Sequence, residues 1–222
     1  FKDKRFLELQ DEVIRQFLSL LDYFSIDKSK VEATYLNSTT FGTGKGRDKL
    51  LEKKYTFPED KESKKILEQN LIKTYPVQSI QNIDIHPVEG ALVGSRVEIA
   101  YNGIEIATIV FDCFKIHNKK LVPINYVGGY AMGIERLALA ISNKKDLMEV
   151  NPKHLEKLNE IVRKMPAIKS SLFNQERYII IYGLDVLETI RGINILSDGQ
   201  KKILDNFRKT FKNASDKLGM QN

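Results

Sequence analysis

The spacing of hydrophobic residues in the first third of the chain predicts two helices with a strand between them. Residues 3–24 repeat apolar side chains at helical spacing, which predicts an amphipathic helix with a wide buried face. The segment VEATYL at 31–36 predicts a short strand. Residues 59–74 predict a charged helix that Pro76 ends. Its inward side chains are expected to be Ile66, Leu67, Leu71 and Ile72.

The pattern then changes from helical spacing to alternation. The segment RVEIAYNGIEIATIVFDCFKI at 96–116 is rich in β-branched residues and is interrupted by Asn102-Gly103. This pair between two such runs predicts a hairpin, because both turn residues must take positive φ. A third strand is predicted at 121–127 and a helix at 133–142.

From Pro152 onward the apolar residues recur only at helical spacing. They predict helices at 153–164, about 174–191 and 198–212, the last with Ser197 as its N-cap. The predicted fold class is therefore α+β. An antiparallel sheet flanked by helices fills residues 1–142, and a helical domain follows over 143–222.

Composition narrows the class of protein. Of the 222 residues, 42% are hydrophobic and 29% are charged, as in ordinary globular domains. The longest apolar runs, at 137–141 and 178–182, are too short to span a bilayer, which predicts no membrane association. The lone Cys113 and the lack of a signal-peptide pattern predict a cytoplasmic protein. Because the chain starts at Phe1 without an initiator Met, we expect a fragment or a processed product.

The formal net charge of +6 is unevenly distributed along the chain. Residues 143–222 contain 15 Lys and Arg against 10 Asp and Glu, which accounts for nearly all of the excess. A basic helical region is typical of a surface that contacts a polyanion. A solvated, lysine-rich helical surface has the same composition, so charge leaves both interpretations open.

Two glycine-rich segments are candidates for phosphate chemistry. The first, FGTGKGRDK at 41–49, lacks the Ser or Thr that a P-loop requires after Gly-Lys, since Gly46 follows Lys45. The second, VGGYAMGIERLALAIS at 127–142, leads through glycines to Arg136 at the start of a helix. Such an Arg can reach a phosphate beside a positive helix N-terminus. The alternative is a structural Arg paired with a carboxylate.

The same residues resemble a known family. GGYAMGIERLALAI resembles motif 3 of class II aminoacyl-tRNA synthetases, and GSRVEIAYNGIEIATIVF resembles the hairpin of alanyl-tRNA synthetases, especially the archaeal form. The resemblance is good over about 90–142 and fainter over 1–36. It is weak over 143–222, where the family has helices that read the tRNA acceptor stem. Residues 41–89 look like an insertion unmatched in the family.

The resemblance implies an ATP-dependent enzyme that activates an amino acid and loads tRNA, with ATP and Mg²⁺ as cofactors. Arg136 would hold the terminal phosphate of ATP, Gly133 would lie close to the adenine, and Glu135 would brace the turn. Glu105 would lie near ATP and its Mg²⁺, and Thr108 would line the amino-acid pocket. The tRNA contacts would be Lys201, Lys202, Arg208 and Lys209.

The sequence departs from the family at the position of an Asp that binds the ammonium of alanine. The aligned residue of the amino-acid pocket is Gly129, and no acid stands at 126–130. Motif 1 and a convincing motif 2 are also missing. Two functions therefore stay open: an aminoacyl-tRNA ligase, or a non-catalytic paralogue that binds tRNA or a partner chain. A partner chain or an upstream segment supplying motifs 1 and 2 would complete the site.

Overall fold

The computed structural model describes residues 3–43, 51–85, 88–142, 144, 150–153, 156, 160, 163, 179, 183 and 198–217. The chain divides into two compact units, Phe1–Asn143 and Lys144–Asn222. The fold of the first unit is a mixed α+β arrangement built on a mostly antiparallel sheet.

The first unit contains three helices and eight strands among the described residues. The helices are α1 (Lys4–Tyr23), α2 (Lys61–Gln69) and α3 (Ile134–Ile141). The strands are β1 (Val31–Leu36), β2 (Thr39–Phe41), β3 (Tyr55–Phe57), β4 (Lys73–Val77), β5 (Ile83–Ile85), β6 (Leu92–Tyr101), β7 (Ile104–His117) and β8 (Lys120–Met132). In the second unit the structure describes α4 (Asp198–Lys217).

The main sheet has six strands and follows the order β4-β1-β6-β7-β8, with β5 also paired to β6. β1 and β4 run parallel, and the other pairs are antiparallel. The predicted hairpin is confirmed as β6 and β7. Asn102 and Gly103 take φ of 50° and 77°, as a two-residue turn between twisted strands requires.

The predicted third strand is longer in the structure than its apolar pattern suggested. β8 continues to Met132 and includes the glycine pair, which lies opposite Phe111 and Val110 of β7. Pairing with β7 from Ala107 to His117 holds these glycines in the strand, which overrides their weak strand propensity. The predicted helix at 133–142 is α3.

The helix predicted at 59–74 is wrong in its second half. α2 ends at Gln69, the chain turns at Leu71 with φ of 66°, and β4 follows alongside β1. Leu71, predicted to face inward, is 82% exposed, whereas Ile66, Leu67 and Ile72 are buried. Pro76, expected to end the helix, instead lies within β4, which tolerates a residue without an N–H because it is an edge strand.

One face of the sheet forms the hydrophobic core. Val97 and Ile99 of β6 and Ile109 of β7 have no exposed surface, and neither have Ile14 and Phe17 of α1. α1 contacts β8 and α2, so the two helices cover the same side of the sheet. The opposite face is left to polar side chains.

Gly128 allows α1 to approach this core closely. A Cβ atom there would lie 3.0 Å from a methyl group of Val13 and 3.1 Å from Cγ of Leu9. One member of the glycine pair is therefore explained by packing against α1.

A buried carboxylate joins the elements of the core. Asp60 caps α2 and accepts hydrogen bonds from Gln10 of α1 at 3.0 Å, from Ser63 at 2.8 Å and from Ser95 of β6 at 3.1 Å. Because these donors satisfy the buried charge, Asp60 fixes both helices against the sheet.

Residues 41–89, predicted as an insertion, contribute strands to the main sheet. β4 extends it beyond β1, and β5 pairs with the first half of β6. Most of the glycine-rich loop at 41–49 lies outside the described residues.

Gly94 of β6 provides a test of the strand pairing. A Cβ atom there would lie 1.9 Å from the carbonyl oxygen of Phe111 and 2.5 Å from Cα of Asp112. Because both are backbone atoms, Gly94→Ala is expected to lower the free energy of unfolding by at least about 3 kcal/mol. Gly129→Ala, whose Cβ would meet nothing within 4 Å, is the control and should change it by less than about 0.5 kcal/mol. Urea unfolding measures both, and equal effects would contradict this packing.

Candidate functional site

Polar side chains from four strands share the face of the sheet opposite α1. Strand register places Glu32, Thr34, Lys73, Tyr75, Glu98, Glu105 and Thr108 on this face. A cleft of about 130 Å³ lies over β4, β1, β6 and β7 and is lined by Glu32, Thr34, Tyr75, Glu98 and Glu105. We refer to this side of the sheet as the open face.

α3 starts at the edge of the open face because the strand ladder and the helix meet at Gly133. The Gly133 N–H donates to the carbonyl of Ile106 at 2.9 Å, and its own carbonyl accepts from Leu137 N–H at 2.8 Å. Leu137 and Ala140 are buried. With these two residues turned inward, Arg136 in the first turn of the helix points outward.

Arg136 reaches back to β7. Its Nη1 atom lies 3.2 Å from Oε2 of Glu105 and 3.5 Å from the Glu105 carbonyl oxygen. The Thr108 hydroxyl donates to the other carboxylate oxygen of Glu105 at 3.5 Å. The structure therefore brings together Arg136, Glu105 and Thr108, which the sequence placed in one site.

This ion pair is exposed, with 53% of the Arg136 side chain and 48% of the Glu105 side chain accessible to solvent. Pairs of this kind contribute roughly 0–1 kcal/mol to stability. An anion that binds Arg136, or a cation that binds Glu105, can therefore separate them at little cost.

The remaining predicted site residues are Gly133, Gly129 and Glu135, and they lie on β8 and α3 or at the junction between them. Gly133 is in contact with the stem of Arg136, since a Cβ atom there would lie 3.3 Å from Arg136 Cδ. Gly129 lies directly opposite Val110 of β7, and a Cβ atom there would meet no described residue within 4 Å. Glu135 lies in the first turn of α3, where the helix dipole favours a carboxylate.

Sequence reasoning missed the β1 and β4 side of the open face. The Tyr75 hydroxyl donates to Glu32 at 2.9 Å, and the Lys73 ammonium lies 4.9 Å from the centre of the Tyr75 ring. The hydrogen bond with Tyr75 is the main cause that raises the pKa of Lys73. These residues converge only because β4 pairs with β1, a contact that local periodicity does not reveal.

Asp112 is a second missed residue. It lies on β7, where its strand partners are Gly94 of β6 and Val127 of β8, and it is 3% exposed. Burial, and then the negative charge of Asp84 on β5, raise the pKa of Asp112 to about 7. A sequence signal existed, because Asp112 is the only charged residue in the run IATIVFDCF.

The basic residues predicted to contact tRNA lie on α4, which continues to Lys217, beyond the predicted end at 212. Lys201, Arg208 and Lys209 are exposed, while Leu204 and Ala214 are buried on another side of the helix. Arg208 is 3.5 Å from Asp205. The side chain of Lys202, the N-cap Ser197 and most of the predicted helices at 153–164 and 174–191 lie outside the described residues.

Comparison with known proteins gives no assignment, since no protein-family model and no curated protein matches the chain. Within the described residues, no three His, Cys, Asp or Glu side chains are grouped so that they could hold a metal ion. No helix in that part of the chain is both long enough and apolar enough to cross a membrane.

Asp112 gives the stability of the protein a defined dependence on pH. Its pKa is about 7 in the folded chain and about 3.9 when unfolded, so the folded state keeps a proton that the unfolded state releases. The contribution of Asp112 to the free energy of unfolding is therefore greatest below about pH 4 and is lost as pH rises through 7.

Asp112→Asn removes this titration. The difference in the free energy of unfolding, wild type minus Asp112→Asn, should decrease as the pH rises from 5 to 8. Urea unfolding in the presence of EDTA measures it. Asp27→Asn is the control, because a hydrogen bond from the Ser29 hydroxyl lowers the pKa of Asp27 below its usual acidic range. Its difference from the wild type should therefore stay constant between pH 5 and pH 8. A wild-type advantage over Asp112→Asn that grows with pH would contradict the assignment.

Proposed function

We propose that the chain is an alanyl-tRNA synthetase-like protein of class II, with the first unit as its ATP-binding part. Its function would be ATP-dependent amino-acid activation and aminoacylation of tRNA. The observation that supports this most directly is the meeting of Arg136, Glu105 and Thr108 on the open face of an antiparallel sheet, at the start of a helix.

The chemistry of these residues fits a nucleotide triphosphate with a magnesium ion. The guanidinium of Arg136 offers a planar set of donors to a phosphate. The carboxylate of Glu105 is a ligand of the kind that Mg²⁺ shares with phosphates. When bound, Mg²⁺ would neutralise phosphate charge, and the protein would contribute positioning and further positive charge.

Separation of the Arg136–Glu105 pair is the step that the protein itself must make. Arg136 would turn toward the phosphate while Glu105 turns toward the metal ion, which costs little because the pair is exposed. Movement of Arg136 would also clear its stem from Gly133, where a flat base could then lie against the backbone. Gly133 gives α3 no side-chain cap, so its first N–H groups remain available to an anion.

A second candidate function is a non-catalytic paralogue that keeps nucleotide or tRNA binding without activating an amino acid. Gly129 favours it, because the position aligned with the family's ammonium-binding Asp carries no charge and has no described residue within 4 Å of its Cβ position. Amino-acid-dependent exchange of pyrophosphate into ATP separates the two functions. Exchange supports the ligase, whereas ATP binding without exchange for any amino acid supports the paralogue.

β8 offers an edge of the sheet at which a partner chain or an upstream segment would complete the site. It is the last strand in the sheet order, and none of its 13 residues is fully buried. Such an edge offers its unpaired backbone groups to another strand.

ATP binding tests the nucleotide site. Arg136→Ala should weaken MgATP binding at least tenfold in calorimetry, because charge-assisted hydrogen bonds contribute about 1.5–3 kcal/mol. Arg15→Ala is the matched control, since Arg15 is also exposed and paired with a carboxylate, Asp11, at 2.8 Å. Equal affinities of wild type and Arg136→Ala would exclude this site.

Glu105→Gln refines the same test by separating two functions of the carboxylate, which are binding of Mg²⁺ and positioning of Arg136. If Glu105 shares Mg²⁺ with ATP, the variant should bind ATP more weakly with Mg²⁺ but no more weakly without it, since repulsion of phosphate is removed. Weakening that does not depend on Mg²⁺ would show that Glu105 only positions Arg136.

The basic face of α4 should bind tRNA through its phosphates. In filter binding of bulk tRNA, the affinity should fall at least about tenfold between low and physiological salt. The triple variant Lys201→Ala, Arg208→Ala, Lys209→Ala should flatten this dependence, because it removes phosphate contacts. The control is a triple alanine variant of Lys4, Lys61 and Lys65, which are exposed lysines of the first unit. The tRNA proposal fails if both triple variants lose affinity equally, or if wild type does not bind at low salt.

A further inference from the structure

Asp112 is an acidic residue that the proposed nucleotide site does not use. Its side chain is almost fully buried, and its Oδ1 atom has no hydrogen-bond partner among the described residues. A buried carboxylate oxygen without a donor is costly, and an ion or water at that oxygen is a usual explanation for one that persists.

Strand register places a second carboxylate beside Asp112. Asp84 of β5, Gly94 of β6 and Asp112 of β7 are successive partners across three strands, so their side chains belong to the same face. Gly94 between them has no side chain, and the ladder is irregular here, with shifts at Val93/Gly94 and at Asp112/Phe114.

Because Gly94 has no side chain, β6 places no side chain between Asp84 and Asp112 at this position. Asp112 Cα lies 2.5 Å from the position that a Cβ atom of Gly94 would occupy, so β7 fills the space of the missing side chain. The charge of Asp84 acts on Asp112 across this glycine. The unpartnered oxygen thus belongs to a pair of carboxylates.

We propose that Asp84 and Asp112 bind one divalent metal cation of the oxygen-preferring class that includes Mg²⁺ and Mn²⁺. Carboxylates are the ligands that these ions favour, and Mg²⁺ is commonly held by one or two of them with water completing its shell. Asp84 is only partly buried and so gives the ion a side open to water. Asp112 is too enclosed for an organic cation to reach it. A single metal ion is small enough to bind between the two carboxylates.

This site is distinct from the nucleotide site. Asp112 stands seven positions beyond Glu105 on β7, which corresponds to about 23 Å along an extended strand. The ion would bind without nucleotide and would hold the three-residue strand β5 against β6 and β7.

Binding of Mn²⁺ to the full chain without nucleotide tests the proposal. After treatment with EDTA and its removal, calorimetry at pH 8 should show one Mn²⁺ per chain, and the melting temperature should rise with Mn²⁺ concentration. Asp84→Asn and Asp112→Asn should each weaken binding at least tenfold and remove the thermal shift. Glu105→Gln should bind Mn²⁺ as the wild type does.

The variants also distinguish a metal site from a carboxylate pair that only shares a proton. Without metal, Asp112→Asn should be at least as stable as the wild type at pH 8, and with Mn²⁺ the wild type should become the more stable of the two. If the wild type binds no Mn²⁺, or if only Glu105→Gln abolishes binding, the proposal is overturned. Failure of ATP binding leaves it intact, since no nucleotide enters this experiment.

Discussion

The pairing register of β6 and β7 is the constraint on which the rest of the first unit depends. A slip of one residue would turn Val97 and Ile109 out of the core and Glu98 and Thr108 into it, because side chains alternate between faces. The two-residue turn at Asn102-Gly103 holds this register at one end. Once it is set, α1 and α2 can cover only one face, and the other must hold polar groups.

The glycines near the open face let backbones and side chains approach one another closely. Gly128 admits α1, Gly94 admits β7, and Gly133 accepts the stem of Arg136. Gly129 differs from these three glycines, because a Cβ atom there would meet no described residue within 4 Å. The open face thus has the Arg136–Glu105 ion pair at the end beside α3 and the buried Asp112 at the other end. Nucleotide chemistry and metal binding are proposed at these opposite ends of one sheet.

Local patterns predicted the elements whose residues carry their own signal. α1, the β6–β7 hairpin and α3 follow from periodicity and turn chemistry, and Arg136 and Glu105 were chosen from motifs within them. β4 could not be predicted in this way, because KTYPV has no clear alternation and gains its partners only from β1, some forty residues earlier in the chain. The contact of Tyr75 with Glu32 depends on the same pairing.

The sequence by itself determined which segments form strands, which form helices and where the hairpin turns. These features follow from side-chain spacing and from the φ angles that Asn102 and Gly103 allow. Only the tertiary structure decided which polar residues meet. Glu32 and Tyr75 stand 43 residues apart, and Asp84 and Asp112 come from strands separated by β6. The reason is physical: periodicity assigns each side chain to a face, but distances across a face depend on strand order and on backbone approach at glycines, which arise from packing of the whole sheet.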